Sequence, residues 1–208
     1  MKVVIITVPM KRSDLVESLI YPVDGNKAVE YENPVQCPLN GILAKTMKKH
    51  EQIKVIYIMT TGGNSECEQN KRNFIKELEG INSEIGALLN YDTVEIEFLP
   101  TKQTYNKLIT DLAEKIPENT EIFIDITFGY KPEILSLFCA LRFVEEFRDA
   151  VVQYIVYGKA EFNKENGKIE NPMIFDITSL YYLFKLIGTM GASNAESAAQ
   201  TLKDFFAM

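Results

Sequence analysis

Short apolar runs rich in β-branched residues alternate with helix-like stretches along most of this chain, and this order strongly restricts its fold. The apolar residues of each run are mostly continuous rather than alternating, which is typical of strands covered on both faces, as in a parallel sheet. The order therefore predicts an α/β fold, Rossmann-like and doubly wound around a mainly parallel sheet. The predicted strands are Lys2–Thr7, Ile53–Met59, Thr93–Leu99, Glu121–Ile126 and Val151–Tyr157. The predicted helices are Leu39–His50, Glu66–Leu88, Lys102–Lys115 and Pro132–Phe147.

The pattern changes after Tyr157. A polar stretch containing the turn signal Asn166-Gly167 leads into a strand-like run at 172–178, which predicts a C-terminal β-hairpin. Residues 179–187 are apolar, and 192–206 predict a modest amphipathic helix, which together form a short helical tail. We therefore expect a ligand-binding domain over residues 1–178 and a C-terminal helical extension over 179–208.

The bulk composition excludes several classes of function. The net charge of −7 argues against broad electrostatic binding to duplex nucleic acid, but it is compatible with a small anionic ligand in one local pocket. His50 is the single histidine, so neither a histidine-based zinc site nor a Ser-His-Asp relay is expected, and we predict no metal and no cofactor. No run approaches about 18 apolar residues, so we predict no membrane span.

The three cysteines stand far apart in the sequence, with no Cys-x-x-Cys spacing, which indicates free thiols in a reducing cytoplasm. Cys139 lies inside the most apolar predicted helix, where we expect a small core residue rather than a nucleophile. Residues 11–37 form the least regular stretch and predict a long loop after the first strand. Loops of that length inside a compact α/β domain are uncommon and often functional.

Three predicted strands end in residues suited to binding a ligand. In open α/β sheets, ligands bind beyond the carboxyl ends of the strands, near the point where the strand order reverses. We predict that ligand-contacting residues follow the first strand (Pro9, Met10, Lys11, Arg12), the second (Thr60, Thr61, Gly62, Gly63, Asn64) and the fourth (Thr127, Phe128, Gly129, Tyr130, Lys131), with Tyr157 at the end of the fifth.

The second strand end, TTGGNS, combines paired glycines with a following helix. Paired glycines permit a tight turn, and the free amides at a helix start favour an anion. The segment fits neither the Walker A pattern nor G-x-G-x-x-G. An ordinary strand–turn–helix connection capped by Asn64 or Ser65 remains the alternative.

The fourth strand end, DITFGYKP, concentrates a hydroxyl, a glycine and a cation before a helix. Thr127 and Gly129 predict contact with a ligand, and Lys131 adds positive charge at the helix N-terminus. For Asp125 we favour a structural role, accepting hydrogen bonds from loop amides, over acid–base chemistry. Tyr130 and Tyr157 are candidates for stacking on a base, with simple packing as the alternative.

The segment IDITFGYKP resembles the Asp-x-Thr-His-Gly motif of CRISPR-associated proteins with a CARF domain, the Rossmann-like sensor of cyclic oligoadenylates. The order of segments is also similar: KVVIITV precedes the motif, whereas VVQYIVYGKAEF and IFDITSLYYLFKL follow it. The chain departs from the family at two positions. Phe128 stands where the family has histidine, and Lys131 stands where an arginine is common.

The resemblance implies a homodimer that binds cyclic tetra- or hexa-adenylate, a second messenger of type III CRISPR antiviral defence, across its two-fold axis. Family members often continue into an effector, commonly a HEPN ribonuclease with an Arg-x4-His pair. That pair is missing here, because His50 is the only histidine and position 45 is Lys45. The chain is therefore expected to be a stand-alone CARF protein or the sensor part of a protein whose effector lies outside this chain.

Two other functions stay open at this point. The first is a metal-independent ring nuclease that cleaves the cyclic oligoadenylate, with Lys131, Thr127 and Ser13 as catalytic candidates. Such cleavage needs only an oriented ribose 2′-hydroxyl and cationic stabilisation of the developing charge, to which Lys11 and Arg12 could contribute. The second is an unrelated flavodoxin-like mononucleotide-binding protein that matches the motif by chance.

Overall fold

The computed structural model describes residues 1–61, 65–163 and 168–206, which divide into two compact units, Met1–Ile177 and Thr178–Met208. The first unit contains a six-stranded sheet with the strand order β3-β2-β1-β4-β5-β6. The strands are β1 (Lys2–Thr7), β2 (Gln52–Thr61), β3 (Leu88–Glu97), β4 (Glu121–Asp125), β5 (Val151–Asn163) and β6 (Lys168–Asp176). The helices of the first unit are α1 (Pro38–Thr46), α2 (Ser65–Ile85), α3 (Lys102–Lys115) and α4 (Lys131–Phe147).

The sheet confirms the predicted Rossmann-like fold with its antiparallel C-terminal hairpin. Strands β1 to β5 pair in parallel, and β6 pairs antiparallel with β5. All six residues of β1 are buried, as the continuous apolar pattern of a central parallel strand requires. A flavodoxin-like sheet has the order 2-1-3-4-5, so the flavodoxin-like alternative is wrong about topology.

The strand order reverses between β1 and β4. From β1 the chain passes through α1 and α2 toward β3, and it then crosses back through α3 to β4 on the far side of β1. Because such crossovers are right-handed, α1 and α2 cover one face of the sheet while α3 and α4 cover the other. The loops that follow β1 and β4 therefore meet at the carboxyl edge of the sheet, where Rossmann-like folds bind their ligands.

The long segment after β1 is folded onto the core. It forms two short 3-10 turns, Ser13–Leu15 and Lys27–Val29, and a bridge between Leu19 and Val35. Val23 forms a further bridge to Ile174 of β6. The segment that connects β1 to α1 in the sequence, predicted as a loop, is thus packed against the rest of the first unit.

Two predicted helix ends are wrong. Helix α1 ends at Thr46, and His50 lies beyond it in a turn with a φ of 63°. Helix α2 ends at Ile85 because Gly86 adopts a φ of +80°, a left-handed conformation that commonly terminates helices. As a result Leu88, predicted as the last residue of a helix, begins β3.

The expectation that Cys139 is a core residue is also wrong, because its side chain is exposed. Helix α4 is apolar on both sides, and its inward face consists of other residues, including Leu137, Leu141 and Val144. Cys139 lies on the outward row instead. That row, spaced by four residues, is Leu135, Cys139, Phe143 and Phe147.

The second unit contains α5 (Thr178–Thr189) and α6 (Ala195–Phe206), in agreement with the predicted helical tail. In the part of the chain that the structure describes, no helix combines the length and the apolar character needed to cross a membrane.

Candidate functional site

Asp125, the last residue of β4, organises the carboxyl edge of the sheet. Its carboxyl group is fully buried, accepting hydrogen bonds from the amides of Thr127 at 2.8 Å and Leu39 at 3.0 Å. The thiol of Cys37 lies 3.6 Å from the same group. Burial raises the pKa of Asp125 despite these bonds. The contacts agree with the structural role predicted for Asp125, because they tie the loop after β4 to the start of α1.

The start of α1 is occupied by side chains of the protein itself. Besides Asp125, the carboxyl group of Glu77 accepts hydrogen bonds from the amides of Gln36 at 2.6 Å and Cys37 at 3.2 Å. Dinucleotide-binding Rossmann folds place a phosphate at the N-terminus of the helix that follows the first strand. Here that position is filled by the carboxyl groups of the protein itself. An anionic ligand at this edge of the sheet would therefore bind at a different position.

A cavity of about 200 Å³ lies at the switch point, between the segment after β1, the loop after β4 and the β5–β6 hairpin. We call it the edge cavity. Four of the residues predicted to bind a ligand line it: Lys11, Thr127, Phe128 and Tyr157. The structure therefore brings together residues from three separate strand ends.

Lys11 supplies the edge cavity with a positive charge. Its ammonium lies 5.4 Å from the centroid of the Phe128 ring, which packs in turn on Phe74 of α2. Partial burial lowers the pKa of Lys11, although the nearby Glu17 opposes this shift. Phe128, where the resembled family has histidine, thus forms an aromatic wall beneath a cation.

The backbone that carries Lys11 is held by α2. The side-chain amide of Asn70 donates hydrogen bonds to the carbonyl oxygens of Pro9 at 2.8 Å and Lys11 at 2.9 Å. The thiol of Cys67 lies 3.6 Å from the Pro9 carbonyl. These contacts give Pro9 a positioning role, and they fix the direction of the segment that leads to Lys11.

Thr127 connects the edge cavity to Asp125. Its hydroxyl oxygen accepts a hydrogen bond from the amide of Gly158 at 2.8 Å. The same hydroxyl group also forms a hydrogen bond with the carboxyl group of Asp125. Gly158 packs closely, since a Cβ there would lie 2.5 Å from Cγ of Pro38 and 3.1 Å from the Thr127 hydroxyl oxygen. The hydroxyl predicted to bind a ligand therefore also fastens the β5–β6 hairpin to the loop after β4.

Lys131 and Gly129 lie beside the edge cavity and do not line it. Lys131 is exposed as the first residue of α4. A Cβ at Gly129 would collide with the end of Ile134 and lie 3.1 Å from Cγ2 of Thr7, so packing alone explains this glycine. Tyr130 packs edge-on against Phe98 at 5.3 Å.

Glu133 is a buried acid in the first turn of α4 that the sequence analysis missed. It accepts a hydrogen bond from the amide of Tyr130, as the third helical residue does in a capping box. Burial raises the pKa of Glu133 to about 8. The group is therefore mostly protonated at neutral pH.

The remaining predicted residues that the structure describes do not line the edge cavity. Arg12 forms an exposed ion pair with Asp14 at 2.7 Å, and the amide of Ser13 donates to Glu66 of α2 at 2.8 Å. Met10 is half-buried, and Thr60 is buried within β2. Thr61 ends β2. The predicted residues Gly62, Gly63 and Asn64 lie outside the described residues.

Eight further cavity residues were not predicted: Val16, Glu17, Leu19, Tyr21, Gly158, Lys159, Ala160 and Ile169. The sequence YGK at 157–159, at the predicted end of the fifth strand, carries a visible signal for Gly158 and Lys159, since a glycine and a cation follow an aromatic residue. Tyr21 gives no such signal, because it reaches the cavity only through the fold of the segment after β1. Burial and the nearby Asp125 raise the pKa of Tyr21.

The site offers the cations Lys11 and Lys159 and three aromatic rings, with one carboxyl group, Glu17, in the same wall. The cations and rings favour an anionic ligand with flat apolar parts. Within the described ranges, no group of three or more His, Cys, Asp or Glu residues is arranged to hold a metal ion. A scan against protein-family models finds no matching family, and a search of curated proteins finds no match to the sequence.

Proposed function

We propose that this protein is a cytoplasmic, homodimeric sensor that binds a cyclic oligoadenylate, cyclic tetra- or hexa-adenylate, in type III CRISPR antiviral defence. The observation that carries the proposal is the edge cavity, where Lys11 and three aromatic residues meet at the switch point of a Rossmann-like sheet. Lys11 is placed to pair with a phosphate. Phe128 and Tyr157 offer ring faces or edges to an adenine.

The size of the edge cavity supports a shared ligand. At about 200 Å³ it is smaller than the roughly 300–1,000 Å³ of typical small-molecule sites, so it holds only part of a cyclic oligonucleotide. A two-fold dimer offers the same cavity twice to a ligand that is itself symmetric. Each protomer would then bind one half of the ring.

Isothermal titration calorimetry with cyclic tri-, tetra- and hexa-adenylate tests this proposal. We expect saturable heat with the tetra- or the hexa-adenylate, at a stoichiometry of one ring per two protein chains. Absence of heat with all three rings, from protein whose folding is verified by circular dichroism, would refute the sensor function.

A metal-independent ring nuclease is the second candidate function. It is favoured by Lys11, a partly buried cation in the wall of the edge cavity that would stabilise negative charge developing on a bound phosphate. Thr127 lines the same cavity, whereas the other catalytic candidates, Lys131 and Ser13, do not. Incubation of radiolabelled ring with excess protein and a chelator would reveal cleavage. A ring that stays intact for hours under these conditions excludes this candidate.

A further inference from the structure

The hairpin formed by β5 and β6 extends past the end of its neighbour β4. β4 ends at Asp125, which pairs with Val156 of β5. From Tyr157 to Asn163, β5 pairs with β6 alone among the described strands. At about 3.3 Å per residue, this part of the hairpin reaches roughly 20 Å beyond the end of β4. By register, β2 and β3 end level with Ala160, so Glu161–Asn163 lie beyond them as well. We call the part from Tyr157 to Asn163, with its partners in β6, the arm.

One face of the arm continues the wall of the edge cavity. Ala160 of β5 and Ile169 of β6 both line that cavity. Phe162 lies two residues beyond Ala160 on the same strand and pairs directly with Ile169. Because alternate residues of a strand share a face, as do paired residues of neighbouring strands, Phe162 lies on the cavity side of the arm.

The residues that alternate with Ala160 and Phe162 are charged. Lys159 and Glu161 form an ion pair at 3.2 Å. Glu161 also accepts a hydrogen bond from Asn171 of β6. Lys159 lines the edge cavity at the base of the arm, where both rows of β5 reach it. Further along the arm, the row that contains Ala160 and Phe162 is the apolar one.

Phe162 is a solvent-exposed aromatic residue close to the edge cavity. Its side chain is 65% exposed, although it lies about 7 Å along the strand from a residue of the cavity wall. A ligand larger than the cavity must extend out of it, and the arm borders one side of the cavity. On that side Phe162 is the next residue of the Ala160 row along β5, and it lies beside Ile169 of the cavity wall.

We propose that Phe162 is a stacking residue for a second base of the bound oligonucleotide, the base next to the one held in the edge cavity. The inference rests on the proposed function and assigns the arm a specific part in it. Ligands of one nucleotide would be bound by the edge cavity alone. Ligands of several nucleotides would gain the additional stacking contact on the arm.

The test compares two probes and three variants. The probes are adenosine monophosphate, which offers a single base, and cyclic tetra-adenylate. The variants are F162A, F162L, which keeps an apolar side chain but removes the ring, and F147A. Phe147 is a matched control because it is 68% exposed on α4, on the outward row away from the arm. Dissociation constants are measured by calorimetry and, for weak binding, by chemical-shift titration.

We expect F162A to weaken binding of cyclic tetra-adenylate by about tenfold, the scale of one base–aromatic stack, and F162L to lose most of the same affinity. Binding of adenosine monophosphate should stay unchanged in both variants, and F147A should bind both probes as the parent does. Because Phe162 is exposed, the thermal unfolding temperature should also stay unchanged.

Two outcomes overturn the inference while the proposed function stands: F162A binds cyclic tetra-adenylate as tightly as the parent, or it weakens both probes equally, which would mean that Phe162 shapes the cavity. A parent protein that binds neither cyclic tetra-adenylate nor the other rings refutes the proposed function and the inference with it.

Discussion

Two helices begin at the same carboxyl edge of the sheet, and their first turns differ in exposure. The first residues of α1, Pro38 and Leu39, are buried beneath the carboxyl groups of Asp125 and Glu77. The first residue of α4, Lys131, is exposed, and the carboxyl group that caps this turn comes from the helix itself, from the buried Glu133.

The difference shows that a helix N-terminus at the ligand-binding edge of a sheet is not by itself an anion site. A helix start offers amide protons and a positive dipole end, but the protein's own carboxyl groups can satisfy both. At α1 they do so, and this turn serves as a structural joint. At α4 the first residue, Lys131, stays exposed to solvent, so the proposed ligand site depends on Lys11 and the loops around the edge cavity rather than on the start of α1.

The strongest test of the structural joint is Asp125→Ala. Removing the carboxyl group leaves the buried amides of Leu39 and Thr127 without acceptors, and each unsatisfied buried amide costs about 1–3 kcal/mol. We expect a loss of roughly 3 kcal/mol in the free energy of unfolding, measured by urea denaturation.

Asp125→Asn is the matched control. The side-chain oxygen of asparagine still accepts a hydrogen bond from one of the two amides. The substitution also removes a carboxyl group, and burial raises the pKa of that group in the parent protein. The loss should therefore be clearly smaller than for alanine. Equal stability of D125A and the parent protein would show that α1 does not depend on this carboxyl group.

The corresponding acid under α4 predicts a stability that depends on pH. The pKa of Glu133 is about 8 in the folded protein, against 4.5 as its ordinary value. Its contribution to stability is therefore fully present below pH 4.5 and is lost as the pH rises toward 8 and above. Because glutamine does not ionise, E133Q should gain on the order of 2 kcal/mol relative to the parent protein between pH 5 and pH 8.

Urea denaturation of both proteins at several pH values measures this difference. Glu146→Gln, at an exposed position of the same helix, is the control and should follow the parent at every pH. If the free energies of unfolding of E133Q and the parent protein differ by the same amount at every pH from 5 to 8, the pKa of Glu133 is not raised.

The point where the two helix starts come close together is Gly158. A Cβ there would lie 2.5 Å from Pro38 at the start of α1 and 3.1 Å from Thr127 in the loop before α4. We expect G158A to lose about 1–2 kcal/mol of stability, the usual range for overpacking, and to disturb the edge cavity it lines. Gly191, which has open space around it and lies outside the helices, is the control for the general effect of an added methyl group. Unchanged stability and ligand affinity in G158A would show that the contact yields without cost.

The smallest expected effect is the difference in ligand affinity between variants of two lysines, Lys11 in the edge cavity and Lys131 at the start of α4. Lys11 lines the edge cavity and Lys131 does not, so K11A should weaken binding of cyclic tetra-adenylate by about tenfold and K131A by less. Both losses should shrink as salt is raised, because the charges are partly exposed. Calorimetry at two salt concentrations measures this, and a larger loss in K131A than in K11A would place the phosphate at the start of α4.

Much of this architecture follows from local sequence. The five β-branched runs predicted the parallel strands because central parallel strands are apolar on both faces. The hairpin was also predicted, as the antiparallel pairing of β5 and β6 shows, while the turn at Asn166-Gly167 lies outside the described residues. The errors arose where local pattern and packing differ. Helix α4 is apolar all round, so sequence could not distinguish its inward face from the row containing Cys139. The site was predicted in part because Lys11, Thr127 and Phe128 follow strand ends. Tyr157 was predicted as the end of a strand, although β5 continues to Asn163. Tyr21 was missed because it reaches the cavity from inside a long irregular segment.

The sequence by itself thus determined the class of fold and the edge of the sheet at which a ligand would bind, because hydrophobic periodicity and strand-end chemistry are local properties. Only the tertiary structure decided which strand-end residues meet. It assigned Asp125 and Glu77 to the start of α1, moved Lys131 outside the cavity, and aligned Phe162 with the cavity wall. These outcomes depend on strand order, register and burial between residues far apart in the chain, which local sequence does not specify.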